Sequence, residues 1–208
     1  LFLNLEGQML KDVLVEFNEC ATEVCEGQQW DMEFEGQSKA TEAHYINMIR
    51  QKTAVLVGFS LELGAILAEA SLADRLGLYQ FGVNIGIGFQ LKDDLLDVYG
   101  DQKKFGTQVG GDIISNKKTF LLIKALEMAK GKEKIELTKW LRTKKFDKRK
   151  KVKAVTALFD KLQIEKITSD KIADYFQKGL TSLDQLEVSS SRKDQLKKFT
   201  LNLMNRTS

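Results

Sequence analysis

The chain contains no proline in 208 residues, where average usage would place about ten. That absence argues against a β-sandwich, a Pro-rich linker protein and a collagen-like chain. Cysteine is nearly as scarce. Cys20 and Cys25 are the only two, too few for a disulfide framework. They lie five apart on one helical stretch and do not face each other squarely. We expect two reduced, buried thiols in a cytosolic protein. Histidine occurs once, as His44 near a helix start, where an exposed or capping role fits better than catalysis. Charge of one sign is also lacking: Lys+Arg number 32, Asp+Glu 29, and the net charge is +3. Such a mild balance does not by itself point to a nucleic-acid partner. No long apolar run is free of charge. The richest, 54–73, carries Glu62 and Glu69, so it reads as a core helix and not as a membrane span.

What is present is helical periodicity almost everywhere. Leu10, Val13, Leu14, Phe17, Ala21 and Val24 form one stripe of a helix over about 5–29. Tyr45, Met48, Ile49 and Lys52 open a second helix, kinked near Gly58 and reaching about Glu69. Ser71 followed by Asp74 resembles a capping box and starts a long helix to about Tyr99. Residues 100–111 hold four glycines and read as a loop. Asn116 is expected to cap a helix through Ala129, with further helices near 132–142, 148–162, 169–186 and 192–204. No strand pattern of useful length and no internal repeat occurs. The predicted fold is all-α, a bundle of long antiparallel helices forming a single domain over 1–208.

The chemistry concentrates on Gln90, Asp93, Asp94 and Asp97. On a helix, positions 86, 90, 93, 94 and 97 share one stripe. Leu91, Leu95 and Val98 pack the opposite face. Three carboxylates within one turn repel unless a cation offsets them. Oxygen ligands without nearby His or Cys suit Mg²⁺ better than zinc, and Mg²⁺ held this way commonly completes its shell with phosphate oxygens. The bland alternative is a solvated acidic face. Gly82, Gly86 and Gly88 weaken the same helix by up to about 1 kcal/mol each, which suggests close approach of a helix or a ligand.

Lys52 and Thr53 place a cation and a hydroxyl inside an apolar helix. A lysine there wants an anion, unless it snorkels to the surface. Lys117 is expected at a helix N-terminus, where the dipole already favours anions. Asp31 is either a further carboxylate near a metal or a solvated helix-end residue. Residues 142–153 carry eight basic residues. With Phe146, Val152, Val155, Leu158 and Phe159 marking a packed face, they read as a solvated basic surface and not as a nucleic-acid reader.

Together, Glu26-Gly27-Gln28 with Asp31, Lys52-Thr53, Gln90 with Asp93, Asp94 and Asp97, and Gly111-Asp112 with Asn116-Lys117-Lys118-Thr119 resemble the trans-type polyprenyl diphosphate synthases, the farnesyl and geranylgeranyl diphosphate synthase family. The match covers about 1–130 closely and the remainder loosely. The resemblance implies the isoprenoid synthase bundle around a central cavity. It implies magnesium-assisted ionisation of an allylic diphosphate and its condensation with isopentenyl diphosphate. It makes Asp93 a direct metal ligand, with Asp94 and Asp97 completing the site and Asp31 acting through water. Lys52, Thr53 and Lys117 hold the allylic diphosphate, and Phe89 and Gln90 line the junction of the substrates. A cytoplasmic homodimer making a fifteen- to twenty-carbon product is implied as well.

The family's first Asp-rich motif and the basic segments that hold isopentenyl diphosphate are absent from this sequence. The chain is therefore expected to be the C-terminal two-thirds of a synthase domain, catalytically incomplete as it stands. Thr107 stands where the family usually has lysine. Lys103, Lys104 or Lys118 are the available substitutes. A non-catalytic diphosphate-binding subunit of a heteromeric synthase and a class I terpene cyclase are the alternatives.

Overall fold

Helices supply all the regular structure among the described residues, which in this computed structural model are 5–36, 40–100 and 110–206. The first, α1 (Gly7–Gly36), buries one residue in every seven: Val13, Cys20, Gly27 and Phe34. That spacing keeps one seam of the helix against its neighbours. Thr41 caps α2 (Glu42–Ile49) by accepting from the His44 backbone N–H at 3.2 Å. The helix then runs through one π-helical turn, Arg50–Ala54, into α3 (Val55–Leu67). The irregularity thus falls at 50–54 and not at Gly58. Gly58 instead meets Gly82 of α4 (Leu72–Tyr99), where a Cβ on Gly82 would sit 2.7 Å from the Gly58 Cα. A Cβ on Gly86 would likewise sit 2.6 Å from the Ala54 Cα. The glycines of α4 therefore admit a helix backbone. Gly88 admits the fully buried ring of Phe176, a side chain whose burial contributes roughly 2–3 kcal/mol.

Ser71 caps α4 by accepting from Asp74 N at 3.1 Å, as its sequence predicts. After α4 come α5 (Gly111–Ser115), α6 (Phe120–Met128), α7 (Gly131–Arg142), α8 (Lys148–Lys161), α9 (Ile164–Asp184) and α10 (Ser190–Met204); most of the loop expected at 100–111 lies outside the described residues. Long α4 lies between α3 and α9, and α1 lies along α3 and the π turn. The all-α expectation holds.

Several local expectations differ from the structure. Asn116 does not cap α6. It ends α5 in the left-handed conformation, φ 60°, and Thr119 caps α6 instead. Lys117 consequently stands in the connection before α6 and not at its first turn. Cys25 is exposed, whereas Cys20 is buried; both are free thiols. Helix α9 starts at Ile164, before Ser169, because Gln163 takes the left-handed turn, φ 57°, that separates it from α8. Of the basic residues in 142–153, seven are exposed as expected, but Lys151 is fully buried. No helix among the described residues is long and apolar enough to cross a membrane.

Candidate active site

The acidic stripe of α4 meets three other segments at one end of the bundle. Asp94 is its buried member, only 2% exposed. The Tyr45 hydroxyl of α2 donates to one of its oxygens. Gln90 Nε2 donates to the other at 3.4 Å, and Lys117 Nζ lies 3.9 Å away. Burial dominates its chemistry and lifts its pKa to about 7; Lys117, Tyr45 and Gln90 oppose the rise, and Asp112 adds to it. Tyr45, fully buried against that carboxylate, is pushed well above its ordinary range by desolvation and then by Asp94.

Asp97 faces the start of α5. Its Oδ2 accepts from Asp112 N at 2.9 Å, and its backbone carbonyl accepts from Gly110 N at 2.6 Å. Asp93, one turn earlier, is neutralised by Arg206, which follows α10. The Arg206 guanidinium also lies over the Phe89 ring, 4.7 Å from its centroid. Its Nε is buried without a hydrogen-bond partner.

The cationic side is built by α1, the π turn and the residues after α5. Lys52 Nζ lies 2.5 Å from Asp31 Oδ2, and both side chains remain about one-third open. Thr53 Oγ1 donates to Gln90 Oε1 at 3.3 Å, joining the π turn to the acidic helix. The close approach that makes this possible is at Gly27, where a Cβ would lie 2.3 Å from Lys52 N. A π turn is a recurrent device for re-aiming side chains at functional sites. Lys117 Nζ lies between Asp94 and Asp112, 3.6 Å from the latter. Burial works against its charge, but Asp94, Asp112 and Asp31 outweigh it and raise its pKa. Asp112 is itself raised, first by desolvation, with Lys117 opposing and Asp97 adding to the effect. Asp31 and Lys117 stand on the rim of a cavity of about 720 Å³ whose walls include Phe34, Met48, Leu122 and Leu141.

The structure thus brings together Asp94, Gln90, Thr53 and Lys117 directly, with Lys52 and Asp31 as an adjoining pair. Asp93 and Asp97 extend the acidic side along α4. Tyr45, Asp112 and Arg206 were not singled out by the sequence as site residues. Asp112 lies within the Gly111-Asp112 motif, and Tyr45 marks only the start of a helix in the sequence. Arg206 is 113 residues from its partner and has no local signal. Thr107, Lys103 and Lys104 lie outside the described residues.

Among the described residues, no three carboxylate, thiol or imidazole groups converge to hold a metal by themselves. The donor set still fits Mg²⁺. Its donors are all carboxylate oxygens, and this ion needs only one or two of them when phosphate and water supply the rest.

Residues 2–159 match the family profile described as Polyprenyl synthetase. The short chain isoprenyl diphosphate synthase of Methanothermobacter thermautotrophicus is 32% identical over 189 residues, which cover 91% of this chain and 57% of the relative. A crystal structure of a geranylgeranyl pyrophosphate synthase superposes with TM-score 0.92 at 37% identity, covering 100% of this chain and 64% of that one. Geranylgeranyl pyrophosphate synthase from Corynebacterium glutamicum, complexed with isoprenyl diphosphate and magnesium, gives TM-score 0.87 at 27% identity over 97% of this chain and 57% of that one. The chain spans less than two-thirds of the length of each of these proteins.

Proposed function

Because the chain belongs to the polyprenyl synthetase family, we propose that it forms the diphosphate-holding part of a short-chain trans-prenyltransferase. The protein condenses an allylic diphosphate with isopentenyl diphosphate to give a longer polyprenyl diphosphate. One observation carries this reading: four separated segments bring Asp31, Lys52, Thr53, Gln90, Asp94 and Lys117 to one mouth. Cations beside carboxylates are what an anionic substrate and its counter-ion require together.

Asp93, Asp94 and Asp97 would hold Mg²⁺, with Asp31 as an additional carboxylate near it. When bound, Mg²⁺ supplies Lewis-acid neutralisation of the departing diphosphate. Lys52 and Lys117 hold that diphosphate and receive its growing negative charge as the allylic carbon–oxygen bond breaks. Fixed charges of this kind act most strongly where water is scarce. Thr53 and Gln90 keep the polar junction in register. The isopentenyl double bond forms the new carbon–carbon bond, and the released diphosphate accepts the proton that is lost.

We read the assembly as a cytoplasmic homodimer and the chain as part of a longer synthase domain. Support for the dimer is the apolar row Leu14, Val15 and Phe17 on α1, 41–46% exposed. The test is to incubate the whole protein with Mg²⁺, isopentenyl diphosphate and allylic diphosphates of increasing length, and to identify products by mass spectrometry. Elongation by five-carbon steps supports the reading. Diphosphate binding without elongation supports a non-catalytic subunit.

A further inference from the structure

Lys151 is the one fully buried member of the basic stretch 142–153. Its position is costly in two ways. It lies in the first turn of α8, where the helix dipole disfavours a cation. Its ammonium is out of water, and that burial pulls its pKa below the usual lysine value. No carboxylate among the described residues pairs with it. An apolar side chain there would avoid both costs, so helix stability does not account for the lysine.

What accounts for it is the set of groups it holds. Nζ donates to Ile114 O at 3.1 Å and to Asn116 Oδ1 at 2.6 Å, and stands 4.2 Å from the centroid of the Phe146 ring. An ammonium has three N–H groups; two make these hydrogen bonds, and its charge lies over the ring. Asn116 is the left-handed residue that ends α5, and its Nδ2 donates to Leu141 O at 3.1 Å. Its amide is therefore fixed from both sides, and the next residue is Lys117. The other end of α5 is tied to the acidic helix through Gly110 N and Asp112 N, both bonded to Asp97. A five-residue helix has little stability of its own. Held at both ends, it sets where Lys117 emerges, between Asp94 and Asp112.

We propose that Lys151 is a positioning residue of the diphosphate site: it clamps the Asn116 turn and so holds Lys117 at the mouth. The proposal rests on the assignment of Lys117 to diphosphate and makes no use of which prenyl chain is elongated. A positioning residue acts only through what it positions. Once Lys117 is removed, loss of Lys151 has nothing further to weaken.

The experiment is a double-mutant cycle in the whole protein, read as affinity for inorganic diphosphate with Mg²⁺ by calorimetry. Lys117→Met is expected to weaken binding about tenfold or more, and Lys151→Met about five- to tenfold. The double variant is expected to match Lys117→Met within about twofold. Losses that multiply, or a Lys151→Met protein that binds like the parent, overturn the proposal. If circular dichroism shows Lys151→Met to be unfolded, Asn116→Gly replaces it in the cycle. Glycine tolerates the left-handed turn while removing the acceptor, and the same non-additivity is required. A parent that binds diphosphate yet elongates nothing refutes prenyl transfer and leaves the Lys151 assignment open to the same cycle. A parent that binds no diphosphate overturns both.

Discussion

Substituting Gly27 by alanine tests the packing that sets Lys52 beside Asp31. A Cβ at Gly27 would lie 2.3 Å from Lys52 N, 2.7 Å from Gln51 C and 2.8 Å from Gln51 Cβ. Ordinary contact begins near 3.4 Å. The two backbones must therefore separate by about 1 Å, and no flexible side-chain end is available to give way. Overpacking of this kind costs typically about 1–3 kcal/mol, more when backbone has to move. Alanine recovers about 1 kcal/mol through its better helix propensity. We expect a net loss of about 2 kcal/mol and a looser Lys52–Asp31 pair, now at 2.5 Å. Gly64→Ala is the internal control, because Gly64 lies within α3 with nothing within 4 Å of its Cβ position. It should gain up to about 1 kcal/mol. Equilibrium denaturant melts of the two variants and the parent give both differences if the slopes agree. A Gly27→Ala protein as stable as the parent would refute the reasoning.

Other consequences follow from the buried groups. Asp94 has its pKa raised to about 7 in the folded state but ionises near its ordinary value when unfolded. Between those values the folded chain binds more protons, so stability falls as pH rises from about 4 to about 7 and is level above that. The fall attributable to Asp94 is up to about 4 kcal/mol in the metal-free protein. Asp94→Asn should flatten that part of the profile, measured as melts across pH; an unchanged slope would show that Asp94 is ionised throughout. Thiol labelling should modify Cys25, which is exposed, and spare Cys20, which is buried and whose pKa is raised by desolvation and then by Glu23. Mass spectrometry before and after denaturation should show one label and then two; early modification of Cys20 would contradict its burial.

Most of the helical architecture was legible because periodicity and capping are local. Ser71 and Asp74 announce α4, and the 86–97 stripe places the carboxylates. The errors arose where tertiary contacts chose between equivalent local signals. Asn116 and Thr119 are both good helix caps, and Asn116, bonded to the distant Lys151, takes the left-handed turn instead. Gly58 and the residues 50–54 could each interrupt a helix. Gly58 is used for helix contact, and the interruption falls where α1 crosses at Gly27. Tyr45 sits 49 residues from Asp94 and Arg206 113 residues from Asp93, so spacing along the chain could not pair them. Lys151 was hidden among exposed lysines of the same composition.

The most direct measurement is turnover of the whole protein and its Asp93→Ala variant with Mg²⁺, an allylic diphosphate and labelled isopentenyl diphosphate. Asp93 is only partly buried, with about one-third of its side chain exposed, and its partner Arg206 is about one-quarter exposed, so the variant should keep its fold. Chain-elongated product is expected from the parent, and a loss of about two orders of magnitude or more in the variant. An Asp93→Ala protein that turns over near the parent rate would contradict the role assigned to the acidic helix.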